Sequence, residues 1–98
     1  MRGLLSTTGA PSATLGRAFE LHPQVALRPE PFGALAYHYG TRRLVFLRHL
    51  DIVNVVKVLA DHPTLEDALV ACEVTPSRWP SFVKALENLE GSEIIRAR

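Results

Sequence analysis

Four histidines and a single cysteine are the side chains with the widest chemical range in this sequence of 98 residues. His22, His38, His49 and His62 could act as metal ligands or general bases, but they show neither metal-site spacing nor clustering with cysteine or carboxylates. We predict that each is a surface or turn residue. Cys72 lies in an apolar periodic stretch with no evident base beside it, which favours a packed thiol over a nucleophile.

The longer motifs of enzymes are missing as well. The sequence contains no Gly-rich phosphate loop, nucleophile motif or carboxylate dyad. Asp61 and His62 are adjacent, but the third group of a catalytic triad is absent. We therefore predict that the protein is not an enzyme and holds no metal or cofactor.

A binding site is indicated instead by residues 42–48, RRLVFLR, an apolar run with basic residues at both ends. Its β-branched and aromatic residues favour a strand. We interpret it as an edge strand, whose unpaired N–H and C=O groups can pair with an outside peptide. We predict that Leu44 and Phe46 face the core and that Val45 and Leu47 line a groove, although a register shift of one residue would exchange the two pairs.

Composition and charge restrict the partners. A hydrophobic content of 47% with 21% charged residues is typical of one soluble globular domain. The net charge of +1 gives no overall attraction to nucleic acid or to an anionic membrane. No apolar run approaches the roughly 20 residues of a membrane span. A lone cysteine indicates a reducing compartment, which predicts the cytoplasm.

The hydrophobic pattern predicts three strands followed by three helices. Residues 25–28, 32–39 and 43–47 read as strands, with Pro29 and Pro31 in the first turn and Gly40 and Thr41 in the second. After Arg48 the period changes from two to about 3.6, which predicts helices over 49–61, from Thr64 for about two turns, and from Pro80 after an irregular turn.

These elements predict an α+β domain of winged-helix type, in which a three-stranded antiparallel meander packs on three helices. We expect the domain to cover residues 19–98 and residues 1–18 to form a flexible tail. Ile94 and Ile95 are expected to pack back as a short extended tail or a last helical turn.

Two segments of the sequence are distinctive: LHPQVALRPEPFGALAYHYG at residues 21–40 and RRLVFL at residues 42–47. Together these segments closely resemble the family of mycofactocin-system peptide chaperones. That family is similar in turn to the pyrroloquinoline-quinone peptide chaperones and to the leader-recognition domains of many modified-peptide pathways. The resemblance covers about residues 19–98, and its most specific part is the PEPFG turn with the YHYG segment after it.

The resemblance implies a non-catalytic module that binds the leader of a ribosomal precursor peptide and presents it to a radical S-adenosylmethionine maturase. In the family the leader adds as an antiparallel strand beside the third strand, in a groove whose other wall is the third helix. Carried onto this sequence, the edge is Arg43, Leu44, Val45, Phe46 and Leu47, and the wall is Trp79, Phe82, Val83 and Leu86.

Basic residues are predicted to surround the same region and to favour an acidic peptide: Arg42, Arg43, Arg48, Arg78 and Lys84. A solvated surface charge is an equally good interpretation of each, because exposed ion pairs are weak. Trp79 and Phe82 can also be interpreted as core residues, because apolar residues at helical spacing are often part of the core.

The main alternative function is a small winged-helix DNA-binding regulator, because residues 65–90 can be read as helix, turn, helix. A recognition helix should carry several Arg, Lys, Asn or Gln residues near its start. This one offers Arg78 and Lys84 among apolar residues. We therefore favour peptide binding and predict no nucleic-acid partner.

Overall fold

The computed structural model describes residues 10–98. In chain order these residues form α1 (Ala10–Leu15), β1 (Phe19–Leu21), β2 (Val25–Glu30), β3 (Gly33–His38), β4 (Leu44–Leu47), α2 (Leu50–Val58), α3 (Leu65–Ala71), α4 (Trp79–Gly91) and β5 (Ile95–Ala97). Short 3₁₀ turns follow α2 at Leu59–Asp61 and precede α4 at Pro76–Arg78. The predicted α+β class, with a three-stranded meander followed by three helices, is confirmed.

The main sheet has the strand order β2-β3-β4, and both pairs are antiparallel. Between β3 and β4, Ala36 lies opposite Val45 and Ala34 lies opposite Leu47. The first turn differs from the prediction: Pro29 lies inside β2, and the turn begins only at Pro31. An edge strand tolerates proline where its missing N–H would have pointed to solvent.

The turn between β3 and β4 is held by a buried histidine. His38 is only 2% exposed, and its Nδ1 accepts the N–H groups of Gly40 at 3.0 Å and Thr41 at 3.1 Å. Arg42 completes the turn with a φ of 64°. The prediction that His38 is a surface or turn residue is therefore wrong, since His38 lies in β3 and its buried ring accepts hydrogen bonds from the turn.

The predicted orientation of β4 is also wrong. Leu47 is 3% exposed, whereas Leu44 is 54% and Phe46 is 53% exposed. The register explains the exchange, because it places Val45 and Leu47 on the same face as the buried alanines of β3, where α2 packs. Leu44 and Phe46 therefore lie on the outer face of the sheet, away from the helices.

The buried residues of the helical layer are apolar. On α2 the buried residues are Val53, Val55 and Val56, and on α3 they are Leu65, Ala68 and Leu69. Thr64 caps α3 as predicted, because its hydroxyl oxygen accepts the N–H of Asp67 at 3.2 Å.

Replacing Thr64 by alanine should lower the free energy of unfolding by about 1 kcal/mol, because the N–H of Asp67 loses its acceptor at the first turn of α3. Urea unfolding monitored by circular dichroism measures the change. Serine at the same position keeps the hydroxyl and should restore most of the loss. An alanine variant as stable as the wild type would show that the cap contributes nothing.

The first and last strands form a second, two-stranded sheet. β5 pairs antiparallel with β1, and Phe19, Ile94 and Ile95 are each buried to 1% exposure or less. The sequence left two alternatives for Ile94 and Ile95, an extended tail or a helical turn. Ile95 is extended, because it lies in β5.

A helix begins within the segment that the sequence assigned to a flexible tail. In α1, the Thr14 hydroxyl donates to the carboxylate of Glu87 at 2.6 Å, and just after α1 Arg17 pairs with Glu90 at 2.7 Å. Residues 10–18 are thus attached to α4. The rest of the predicted tail, residues 1–9, lies outside the described residues, and the domain boundary at residue 19 stays a prediction.

Candidate functional site

β4 has an open side. Within residues 10–98, no strand pairs with it opposite β3. The N–H of His38 donates to the carbonyl of Arg43 at 2.9 Å, and hydrogen bonding alternates along an antiparallel pair. Val45 therefore bonds to β3, whereas the N–H and C=O groups of Leu44 and Phe46 point to the open side. These four backbone groups are the open edge.

The opposite margin of the sheet, on β2, is partly blocked. The N–H of Tyr39 donates to the carbonyl of Gln24, so the alternation makes Val25, Leu27 and Pro29 face outward from β2. The N–H of Val25 is already bonded to the carbonyl of His22 at 2.9 Å, and Pro29 has no N–H. Proline and satisfied donors are the usual means of blocking an edge. Within the described residues, β2 thus keeps one outward N–H, that of Leu27, whereas β4 keeps two, those of Leu44 and Phe46.

A groove lies where the chain leaves β4, between the start of α2 and one side of α4. This inner groove is a cavity of about 250 Å³ lined by His49, Ile52, Arg78, Ser81, Phe82 and Ala85. Four of these residues are three or four positions apart, as on one face of a helix: Arg78, Ser81, Phe82 and Ala85. The inner groove gives side chains on the helix side of the open edge an apolar place to bind.

The structure rearranges the helix wall that the resemblance implied. Phe82 lines the inner groove, although it is only 3% exposed. Val83 and Leu86 are core residues that do not line it, and Trp79 is half-buried with its Nε1–H donating to the carbonyl of Val74 at 2.9 Å. Ser81 and Ala85 take their place in the wall.

The outer face of the sheet carries a second apolar surface. Phe32 and Phe46 meet edge to face, with ring centroids 5.9 Å apart, and with Arg48 they line a cavity of about 420 Å³. We call this the outer cavity. A neighbouring hollow of about 450 Å³ is lined by Ala26, Arg28, Leu35, Tyr37, Tyr39 and Leu44. Apolar surface thus borders the outer face of the open edge, and the inner groove begins at His49, two residues after the end of β4.

The predicted basic residues differ in how they are engaged. Arg78 pairs with Asp51 at 2.9 Å, and its guanidinium lies 5.0 Å from the centroid of the Phe82 ring. Arg48 lines the outer cavity. The other three, Arg42, Arg43 and Lys84, are exposed and line neither cavity; within residues 10–98 none of these three, nor Arg48, forms an ion pair.

Catalytic and metal sites find no support in the described part of the chain. Burial raises the pKa of the Cys72 thiol, and the charge of Asp51 raises it further, so the thiol stays protonated at neutral pH. Residues 10–98 contain no group of three His, Cys, Asp or Glu side chains that could hold a metal ion. Over the same residues, no helix combines the length and hydrophobicity needed to cross a membrane.

Comparison with known proteins identifies the family. The profile of the peptide chaperone MftB family matches residues 18–96. A peptide chaperone MftB from Mycobacterium ulcerans is 45% identical over 97% of this chain and 94% of its own length. Those from Mycobacterium tuberculosis and Mycolicibacterium smegmatis are 46% and 47% identical over 84% and 80% of this chain, and 75% and 76% of their own lengths. No solved structure matches significantly. The chain belongs to the peptide chaperone MftB family.

Proposed function

We propose that this chaperone binds the leader of a ribosomally synthesised precursor peptide as an added strand on β4 and presents it to a radical S-adenosylmethionine maturase. The observation that carries the proposal is the open edge of β4 with the inner groove beside it. Strand addition uses the backbone of any extended peptide for affinity and side-chain pockets for selection.

Backbone pairing alone is too weak to hold the leader. The four groups of the open edge can form about four hydrogen bonds, each contributing roughly 0.5–1.5 kcal/mol. Ordering the peptide backbone costs roughly 1–2 kcal/mol per residue, which is at least as much. The remaining affinity must come from apolar side chains, since burying each large one contributes roughly 1.5–3 kcal/mol.

The inner groove is the natural place for such anchors. In an added strand, alternate side chains point to opposite faces of the sheet. One set therefore points to the helix side of the sheet, the face on which Val45 and Leu47 lie. The inner groove, with Ile52, Phe82 and Ala85 in its wall, is formed by helices and is the nearest candidate to receive these side chains. An apolar leader residue there would be held between the edge strand and α4.

Presentation to a maturase rests on the resemblance to the mycofactocin system and on the chaperone family. A chaperone supplies no chemistry itself, so its effect should appear in the partner's reaction. With purified maturase and precursor, adding this chain should raise the rate of peptide modification, measured by mass spectrometry. A rate that does not depend on the chain would contradict presentation.

The DNA-binding alternative gains nothing from the family comparison. On α4, Arg78 is engaged by Asp51, and the C-terminal half of the helix carries Glu87 and Glu90, which repel phosphate. A major-groove helix needs free basic and amide side chains near its start. Peptide binding is the function that the site supports best.

The inner groove is tested by Ala85→Glu. We expect this variant to bind a synthetic leader of the mycofactocin precursor about tenfold more weakly or worse, because a carboxylate fills the groove and stays near its apolar wall. Isothermal titration calorimetry gives the dissociation constant, and thermal unfolding checks the fold.

Ala71→Glu is the matched control, since Ala71 is exposed at the end of α3 and does not line the groove. It should bind the leader like the wild type. Wild-type affinity in a folded Ala85→Glu variant would remove the inner groove from the leader site.

A further inference from the structure

We propose that the outer cavity is a second subsite for the same leader, so that the bound peptide is read from both faces of the sheet. The outer cavity is expected to take a large apolar side chain at one leader position, and Arg48 to pair with a carboxylate two positions away. This inference rests on the strand addition proposed above and adds the sequence pattern that the strand must carry.

The geometry of strand pairing leads directly to the outer cavity. Phe46 contributes two of the four open-edge groups, and its side chain lies on the outer face. Residues directly opposite each other in an antiparallel pair share a face, with Cβ atoms about 4.5–5.5 Å apart. A leader residue paired with Phe46 must therefore place its side chain next to the Phe46 ring, in the outer cavity.

The cavity has the chemistry of an apolar subsite. Phe32 is 44% exposed, which together with the exposure of Phe46 leaves an aromatic pair unburied beside the open edge. Its volume of about 420 Å³ exceeds the 250 Å³ of the inner groove. A third large side chain would cover both rings and extend the edge-to-face pair, which gains more than area burial alone.

Arg48 adds a charge to the same face. It follows Phe46 by two residues, lines the outer cavity, and forms no ion pair within residues 10–98. Arg78 at the inner groove is instead already paired with Asp51. The uncommitted guanidinium beside an open apolar cavity favours a carboxylate on the outer face.

The leader pattern follows from the alternation of side chains. A large apolar residue at position i and Asp or Glu at i+2 or i−2 face outward, while the residue between them faces the inner groove. Because the proposed leader runs antiparallel to β4, the residue opposite Phe46 is at i and the residue opposite Arg48 is at i−2. A leader of the same composition with these residues moved by one position would turn them to the wrong faces and should bind weakly.

Phe32→Ala and Arg48→Gln test the subsite. We expect the synthetic leader of the mycofactocin precursor to bind Phe32→Ala about fivefold more weakly or worse, and Arg48→Gln about threefold more weakly with reduced salt dependence. The losses should be non-additive with alanine at one leader position for Phe32, and with alanine two positions away for Arg48. Val70→Ala, which trims a side chain that is 59% exposed on α3, is the matched control.

Each outcome decides between the two levels of the proposal. If Phe32→Ala and Arg48→Gln both bind within twofold of the wild type while Ala85→Glu binds weakly, the leader is read from the helix side alone and the outer subsite is wrong. If none of these variants changes affinity, both the outer subsite and the inner groove are wrong as leader sites. Coupling of Phe32 and Arg48 to leader positions two residues apart supports the subsite.

Discussion

Leu44→Pro is expected to weaken leader binding about tenfold and to leave the fold intact. The N–H of Leu44 points to the open side, so proline removes a donor that the free protein does not use. In the complex a leader carbonyl then lacks its partner, which costs roughly 1–3 kcal/mol. Isothermal titration with the synthetic leader measures the loss, and circular dichroism checks the fold.

Two variants separate the lost donor from other effects. Leu44→Ala trims the same side chain but keeps the N–H, so it should bind more tightly than Leu44→Pro. Val45→Pro removes a donor that bonds to β3, so it should unfold part of the sheet instead of weakening binding selectively. If Leu44→Pro binds like Leu44→Ala, the leader does not pair with the backbone of β4.

Gly33→Ala should have the largest effect on stability, lowering the free energy of unfolding by about 3 kcal/mol or more. A Cβ at Gly33 would lie 2.0 Å from the carbonyl oxygen of Leu47, and Gly33 has a φ of 155°. The oxygen belongs to the backbone of the edge strand, so it cannot move aside without shifting β4. Urea unfolding monitored by far-UV circular dichroism measures the change.

Gly91→Ala is the natural control, because nothing lies within 4 Å of a Cβ built there at the last residue of α4. Alanine is the better helix former, so this variant should equal or exceed the wild type in stability. If Gly33→Ala is as stable as the wild type, the backbone of Gly33 does not approach the carbonyl oxygen of Leu47 this closely.

The order of the elements could be predicted because the sequence changes its period at Arg48 and places turn residues between the strands. The orientation of β4 could not. All four of its residues are apolar, so alternation offers no polar side that would identify the face turned to solvent. The orientation of β4 follows from its pairing with the buried alanines of β3, which places Val45 and Leu47 on the buried face. The pattern of a single sequence does not contain this pairing register.

The groove wall was hard to predict for a related reason. A helical stripe of large apolar residues identifies the core, and Val83 and Leu86 are indeed buried there. The residues at the border between core and solvent, Ser81 and Ala85, are small and carry no hydrophobic signal. Charged substitutions at Phe82 or Leu86 would bury a charge and unfold the domain, because both side chains are buried.

The short pairing of β1 with β5 had no sequence signal, since three-residue strands are too short for a period. Membership of a chaperone family confirms the expectation of a protein without catalytic activity.

The unequal margins of the sheet determine the stoichiometry of the complex. Pro29 and the bonded N–H of Val25 interrupt the donors of the β2 margin, so we expect the leader to pair with β4 and the titration to saturate at one peptide per chain. In the proposed complex the leader would form a fourth strand, and every second amide along it would face outward. The captive peptide would then supply the exposed backbone that an approaching enzyme meets first.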